Sequence, residues 1–272
     1  MIRINQEKCI GCGLCAKDCF PNNIEIIDKK AIVKNPLCMK CGHCIAVCPT
    51  NSISLDEYDM KDVKEFDKDT FTIDPEHLLN FIKYRRSVRQ FKKQQVEDEK
   101  ILNIIEAGRF TATGSNSQNV SYVVVKEEIA QLRSSALKRL SDLARVSLSE
   151  QQPNAVMRSY MERWIQMYSS DKEQSGKNDS LFFNAPVVLL VVADSPVDAA
   201  LAASNMELMA FSQGLGAFYS GFFVRAAQHN STIKELLGLS ESQEVMVCMV
   251  MGYPNVTYLR TVPRKQAKIN WR

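Results

Sequence analysis

The chain has 272 residues, 45% of them hydrophobic and 24% charged, with a formal net charge of +3. That is the make-up of a globular protein with a true core, of a length that suits two domains, and its charge is too small to call for a nucleic acid or an anionic membrane as partner. The longest apolar stretch, residues 185–193, is broken by Pro186 and too short for a bilayer, and no basic start precedes an apolar leader, so the expected location is cytoplasmic.

The chain opens on a repeat. Nine cysteines are present and eight precede residue 49. Cys9, Cys12, Cys15 and Cys19 recur 29 positions later as Cys38, Cys41, Cys44 and Cys48, and the flanks keep the offset, Asn22 with Asn51 and Ile24 with Ile53. Between the halves, residues 24–27 and 31–33 flank Asp28-Lys29-Lys30 and read as a short hairpin. A repeated, loop-rich unit of this size cannot bury enough apolar area by itself and needs staples. Disulfides serve that purpose in secreted domains, but nothing here points to secretion, so metal or cluster ligation is the reading.

Three cysteines spaced by two residues can wrap three irons of a four-iron cube, leaving the fourth ligand to come from elsewhere. Zinc needs four ligands and gives no reason for that triple spacing. Gly11, Gly13 and Gly42 lie between the cysteines, where small residues let backbone N–H groups approach sulfur. His43 lies between Cys41 and Cys44, but no ligand is missing, so it reads as a surface residue.

On these residues the segment 1–56 resembles the two-cluster bacterial ferredoxins. The resemblance implies two 4Fe-4S clusters, one held by Cys9, Cys12, Cys15 and Cys48, the other by Cys38, Cys41, Cys44 and Cys19, each fourth cysteine serving the cluster of the other half. The second run ends in Cys48-Pro49 as the family pattern requires; the first has Phe20 inserted before Pro21.

Residues 57–73 read as an acidic linker, the stretch 56–69 holding seven acids and three lysines. A second domain, 74–272, opens on a helix start, with Asp74 as N-cap, Pro75 next and Glu76 in the first turn; Leu78, Leu79 and Ile82 form one face. A second helix is predicted over 97–107, with Ile101, Ile104 and Ile105 inward and Gly108 near its end, then a strand over 122–125. Residues 127–180 are polar and mostly helical, with a break at Gln152-Pro153. There Tyr160, Trp164 and Tyr168 recur at helical spacing beside Met157 and Met161, a pattern that suits a packed face better than a substrate lid. Continuous apolar runs at 186–192 and 245–251 suit buried strands, the second making Cys248 a core thiol. Between them, 198–213 is an alanine- and methionine-rich helix that stops at Gly214 and Gly216. His77 and His229 show no partner pattern. Interleaved helices and strands make this domain α+β or α/β.

Three of its motifs carry chemistry. Arg85-Arg86-Ser87-Val88-Arg89-Gln90-Phe91 sets guanidinium groups and a hydroxyl in one turn, a phosphate-binding combination. The loop 111–118, containing Ser115-Asn116-Ser117-Gln118, offers amides and hydroxyls to a polar ring edge. Gly252-Tyr253-Pro254 is followed by Arg260, Arg264 and Lys265. No G-x-G-x-x-G run occurs, which speaks against a Rossmann-type nicotinamide site.

With the glycine beside Ser220-Gly221, these motifs make residues 75–272 resemble the FMN-dependent nitroreductase family. The resemblance implies an α+β fold with a central, mostly antiparallel sheet flanked by helices, and a homodimer with FMN at the subunit interface. It implies Arg85, Ser87, Arg264 and Lys265 on the phosphate and ribityl chain, with Arg86 beside them in a structural or solvent-facing role. Arg89 would lie at the flavin N1/O2 edge, and Ser115, Asn116 and Gln118 in the loop that meets FMN, the latter two from the partner subunit. Backbone amides at Ser220 and Gly221 would face N5/O4. The basic tail departs from the family's commonest spacing. The expected function is an oxidoreductase passing electrons from the clusters to FMN and on to a small electrophile (a nitroaromatic, a quinone or an activated alkene), with reduced ferredoxin or NAD(P)H as donor. One alternative is a carrier that moves electrons between protein partners. In another the clusters are structural staples only.

Overall fold

The computed structural model describes residues 1–35, 38–150, 153–173 and 179–272. The chain divides into two compact units, Met1–Ile73 with Thr113–Ser117, and Asp74–Ala112 with Gln118–Arg272. The acidic stretch 57–73 thus belongs to the first unit, and so does the middle of the loop that was expected to lie wholly in the second.

In the first unit, β1 (Ile2–Ile4), α1 (Leu14–Lys17), β2 (Ile24–Ile27), β3 (Lys30–Val33), α2 (His43–Ala46), β4 (Ile53–Leu55) and α3 (Lys68–Phe71) follow in order. β1 and β4 pair antiparallel, with Ile2 opposite Leu55 and Ile4 opposite Ile53. β2 and β3 form the expected hairpin, turned by Asp28 and Lys29 at φ 48° and 61°, the left-handed pair that a two-residue turn requires. The sequence repeat is a structural one. α1 and α2 are single turns entered from the left-handed glycines Gly13 (φ 79°) and Gly42 (φ 76°), and Asn22 and Asn51 both turn the chain at φ near 50°. The core joins Cys9, Cys15 and Cys44 to Ile24, Ala31 and Ile53, so the unit is built around its thiols.

The second unit runs α4 (Pro75–Tyr84), α5 (Asp98–Arg109), β5 (Val120–Val125), α6 (Ile129–Glu150), α7 (Ala155–Glu173), β6 (Val187–Ala193), α8 (Pro196–Ser212), β7 (Gly216–Tyr219), α9 (Gly221–Ala227), α10 (Ser231–Leu236) and β8 (Val245–Gly252). Asp74 caps α4 as expected, its carboxylate accepting the His77 N–H at 2.8 Å. The sheet has the order β5-β6-β8-β7 and is antiparallel at every pair. Every residue of β6 is buried because helices cover both faces. Val188, Leu190 and Val192 pack with α6, α7 and α9, while Val187, Leu189 and Val191 pack with α5 and α8. A doubly covered strand needs no polar alternation, whichever way its neighbours run.

Gly108 does not stop α5. It lies inside the helix where a Cβ would fall 2.7 Å from the Tyr122 hydroxyl and 2.8 Å from Met206 Sδ, so its absence lets α5 and α8 close on one another. On α7, Met161, Trp164 and Met167 are buried and Tyr168 is half-buried while Met157 and Tyr160 are exposed, so the packed face takes in only part of the stripe that the spacing marked. Of the Gln152-Pro153 break, Gln152 lies outside the described residues and α7 begins two residues after Pro153. A buried arginine fastens this helical insert: Arg133 of α6 donates to Asp171 of α7 at 2.8 Å and approaches Asp179 at 3.6 Å. Asp179 in turn accepts from the backbone N–H groups of Leu181, Phe182 and Asn184, in the turn that leads to β6. No helix among the described residues is long and apolar enough to cross a membrane.

Candidate functional site

Cys9, Cys12, Cys15 and Cys48 line one small pocket in the first unit, together with Ile26 and Ala31. The first three come from the turn ahead of α1 and from α1 itself. Cys48 reaches the same space from the other half of the repeat, which is the interleaving that the sequence pattern implied. Around Cys44, burial first, then the neighbouring thiols of Cys38 and Cys41 and more weakly Cys19, push its thiol up to about 11. Burial likewise raises Cys15, with Cys12 and Cys9 adding to it. Four crowded, partly buried thiolates repel one another and need a cationic centre among them.

The backbone is set to meet that charge. Ala31 N–H points to Cys9 Sγ, Asn23 N–H to Cys19, Lys40 N–H to Cys38 and Ser52 N–H to Cys48, each at 3.3 Å. Burial pushes the Cys48 thiol up, but the Ser52 hydroxyl at 3.1 Å and the backbone donors outweigh it and bring it down to about 7. Among the described residues no three His, Cys, Asp or Glu are placed to hold a single metal ion. Cys9, Cys12, Cys15 and Cys48 share one space, an arrangement that fits a multi-iron cluster. His43 is exposed and pairs with Asp18 at 3.3 Å.

In the second unit the basic segment lies along the end of the sheet. Val88 N–H donates to the Ala217 carbonyl at 3.0 Å, Lys92 N–H to Tyr253 at 2.8 Å, and Asn255 N–H to Gln90 at 2.8 Å. Two glycines make the approach possible: a Cβ at Gly216 would fall 2.5 Å from Val88 Cγ2, and one at Gly252 would fall 3.2 Å from Phe91 Cδ1. The structure therefore brings the Arg85–Phe91 motif, β7 and the Gly252-Tyr253-Pro254 strand end together. The Arg89 guanidinium sits 5.2 Å over the Phe218 ring. Arg86 donates to the Lys83 carbonyl at 3.0 Å, a local structural role. Ser87 is exposed beside Ala217.

Arg85 has a partner that sequence reasoning did not supply: Glu207 of α8, which is buried and accepts from Arg85 Nη1 at 2.5 Å. Its only signal in the chain is a carboxylate past the first turn of an otherwise apolar helix. Tyr219 donates to the Ala203 carbonyl at 2.8 Å, and burial, then nearby Glu207, raises its hydroxyl. Glu207, Tyr219, Ser220, Gly221 and Arg225 line an open cavity of about 510 Å³. Nothing stands within 4 Å of where a Gly221 Cβ would be, so the backbone there faces free space. A cavity of that size with convergent polar groups fits a mononucleotide.

Arg264 and Lys265 are exposed in the irregular tail after β8, and Gln118 is exposed ahead of β5. Ser115 and Asn116 belong to the first unit. Within this chain the side-chain amide of Asn116, which the resemblance implied would meet FMN from the partner subunit, donates to the carbonyls of Met39 at 2.9 Å and Lys40 at 3.1 Å, which occupies both of its hydrogens.

An antiparallel α+β unit with a basic segment laid beside a mononucleotide-sized cavity, following a small unit built around interleaved thiols, defines an iron–sulfur protein of the flavoprotein type. Residues 82–253 match the nitroreductase family and residues 1–69 match a 4Fe-4S dicluster domain. The chain belongs to the nitroreductase family and carries that dicluster domain ahead of it. A 4-nitrobenzoate reductase of Pseudomonas putida is 30% identical over 208 residues, spanning 68% of this chain and 89% of the relative. An NADPH-dependent oxidoreductase of Staphylococcus saprophyticus is 28% identical over 183 residues, spanning 66% of this chain and 65% of the relative, just under two thirds of its length. In fold, the chain is similar to a nitroreductase with bound FMN from Bacteroides fragilis, at TM-score 0.53 and 20% identity over 71% of this chain and 98% of that one. A nitroreductase with bound FMN from Desulfitobacterium hafniense gives TM-score 0.52 and 23% identity, over 71% and 97%.

Proposed function

We propose that the chain is an FMN-dependent iron–sulfur oxidoreductase that takes electrons in through two 4Fe-4S clusters and delivers them from FMN to a small electrophilic acceptor, such as a nitroaromatic, a quinone or an activated alkene. The observation that carries this is Cys48 reaching across the repeat to line one cavity with Cys9, Cys12 and Cys15, in a chain whose other unit has the nitroreductase fold. Clusters of this ligand type carry single electrons, and FMN exchanges them singly, in pairs or as hydride.

Each residue has a task in this reading. Cys9, Cys12, Cys15 and Cys48 hold one cluster, and Cys38, Cys41, Cys44 and Cys19 hold the other. Arg85 and Ser87 take the cofactor phosphate, and Glu207 fixes the guanidinium of Arg85. Arg89, kept in place by Phe218, supplies positive charge at the N1/O2 edge, and the backbone at Ser220 and Gly221 faces N5/O4. Gln118, Arg264 and Lys265 complete the site from a second copy or from the tail.

The roomy cavity beside Gly221 favours an enzyme over a carrier between proteins. The names of the relatives point to nitro compounds as acceptors and to a nicotinamide as one donor; the fused cysteine module adds reduced ferredoxin as the other. Exposed apolar surface supports a homodimer in this reading: Leu78, Leu79 and Ile82 on α4 are exposed, and Trp271 in the tail is 88% exposed. Anaerobically prepared protein should contain clustered iron and FMN and sediment as two chains. Zinc in place of iron would overturn the cluster assignment, and a one-chain mass with FMN bound would overturn the dimer.

A further inference from the structure

The two halves of the cysteine repeat are not equally built. In the first, Gly11 stands between Cys9 and Cys12 at φ +67°, and a Cβ there would fall 2.0 Å from the Lys29 carbonyl oxygen. In the second half, the same place between Cys38 and Cys41 is taken by Lys40, at φ 54°. The turn has the same left-handed conformation, but a residue with a Cβ adopts it only against steric resistance, and it persists where the surroundings hold it.

Those surroundings are visible. The Lys40 carbonyl accepts from the Tyr58 hydroxyl at 3.0 Å and from Asn116 Nδ2 at 3.1 Å. The adjacent Met39 carbonyl accepts from the same Asn116 amide at 2.9 Å. The Lys40 ammonium pairs with Glu57 at 3.0 Å, and the Lys40 N–H points to Cys38 Sγ at 3.3 Å. Asn116 thus grips two successive carbonyls of the turn. It comes from Thr113–Ser117, a segment of the first unit that the chain reaches only by leaving α5 and returning to β5.

We infer that Asn116 is a positioning residue for the second cluster: it braces the Cys38–Cys41 turn in a left-handed conformation that a glycine adopts in the first half. This rests on the cluster reading given above. Two carbonyls held outward by Asn116 and Tyr58 leave the Lys40 N–H free to face sulfur, and N–H groups directed at the ligating sulfurs are among the determinants of a cluster's potential. The brace therefore acts on one cluster and not on the other. It also makes the loop between α5 and β5 part of the cluster site, although its Ser115-Asn116-Ser117-Gln118 run reads in the sequence as flavin-binding.

The test compares intact, anaerobically reconstituted wild type with Asn116→Ala, Lys40→Gly and the double variant. The readouts are an EPR-monitored redox titration and the rate of iron loss to a ferrous chelator. Asn116→Ala should move the potential of one cluster, leave the other in place, and speed iron loss by roughly tenfold, the size of one or two lost hydrogen bonds. With Lys40→Gly in the background, the same substitution should have less than half that effect, because glycine no longer needs holding. Both clusters moving together, neither moving, or an undiminished effect in the glycine background would overturn the brace. Wild type without two clusters would overturn the cluster reading itself, and the brace with it.

Discussion

Arg85 and Glu207 constrain each other before any cofactor is considered. The carboxylate is buried and the arginine is its cation, 2.5 Å away. A buried charge without its partner keeps its desolvation cost and loses the attraction that offset it. Arg85→Ala should therefore destabilise flavin-free protein by about 2–3 kcal/mol, less than for a fully buried pair because the arginine is partly exposed. Adding Glu207→Leu should restore most of that loss, while FMN affinity stays low because the phosphate ligand is still missing. Denaturation of the second unit and FMN titration of the same variants separate the two effects; a double variant no more stable than Arg85→Ala would refute the pairing. The basic motif was legible in the sequence because Arg85, Ser87 and Arg89 fall within one turn. Glu207 was not, since it stands 122 positions from Arg85 and only the packing of α8 brings them together. The acceptors of Asn116 were hidden for the same reason, since they lie 76 and 77 positions back in the cysteine turn.

Elements were more legible than residues, because periodicity and caps are local. The sequence already marked the hairpin of β2 and β3, the Asp74 start of α4, and the buried strands β6 and β8. What stayed hidden were the reasons elements approach each other. Gly108, near the end of α5 as expected, is also where α8 packs against it, and Gly216 looked like a stop and is the notch that admits Val88. The α6–α7 insert shows the same kind of long-range fastening. Arg133, with 11% of its side chain exposed, lies between the buried carboxylates of Asp171 and Asp179. Arg133→Met would fill the space but leave two acids buried without a cation. A loss of about 3–5 kcal/mol is expected, with faster amide exchange confined to α6, α7 and the turn before β6. Replacing all three residues with apolar ones of similar volume should recover much of it. Exchange that rises evenly through the second unit would mean that Arg133 does not act as a local fastening.

At the scale of the whole molecule the question is the direction of electron flow, and the fusion bears on it. A flavin enzyme that takes hydride from a nicotinamide needs no iron–sulfur relay, whereas a covalently attached relay turns delivery into an intramolecular step with no encounter to wait for. The two hydrophobic clusters of the second unit share no residue with the thiol-centred core of the first, so each core can lose a ligand without unpacking the other. Cys12 is suited to test this, being exposed while it lines the cavity with Cys9, Cys15 and Cys48. Cys12→Ser should impair that cluster and leave the second unit folded with FMN bound. Turnover driven by a reduced protein donor should then fall by roughly tenfold or more, as for an electron path interrupted at one carrier, while reduction of FMN by a small chemical reductant continues at the wild-type rate. If NADPH supports turnover equally in wild type and variant, hydride reaches the flavin directly and the clusters serve a second entry. Protein-driven turnover that survives with the cluster shown by EPR to be missing would exclude the relay through Cys12 and leave the first unit a structural role.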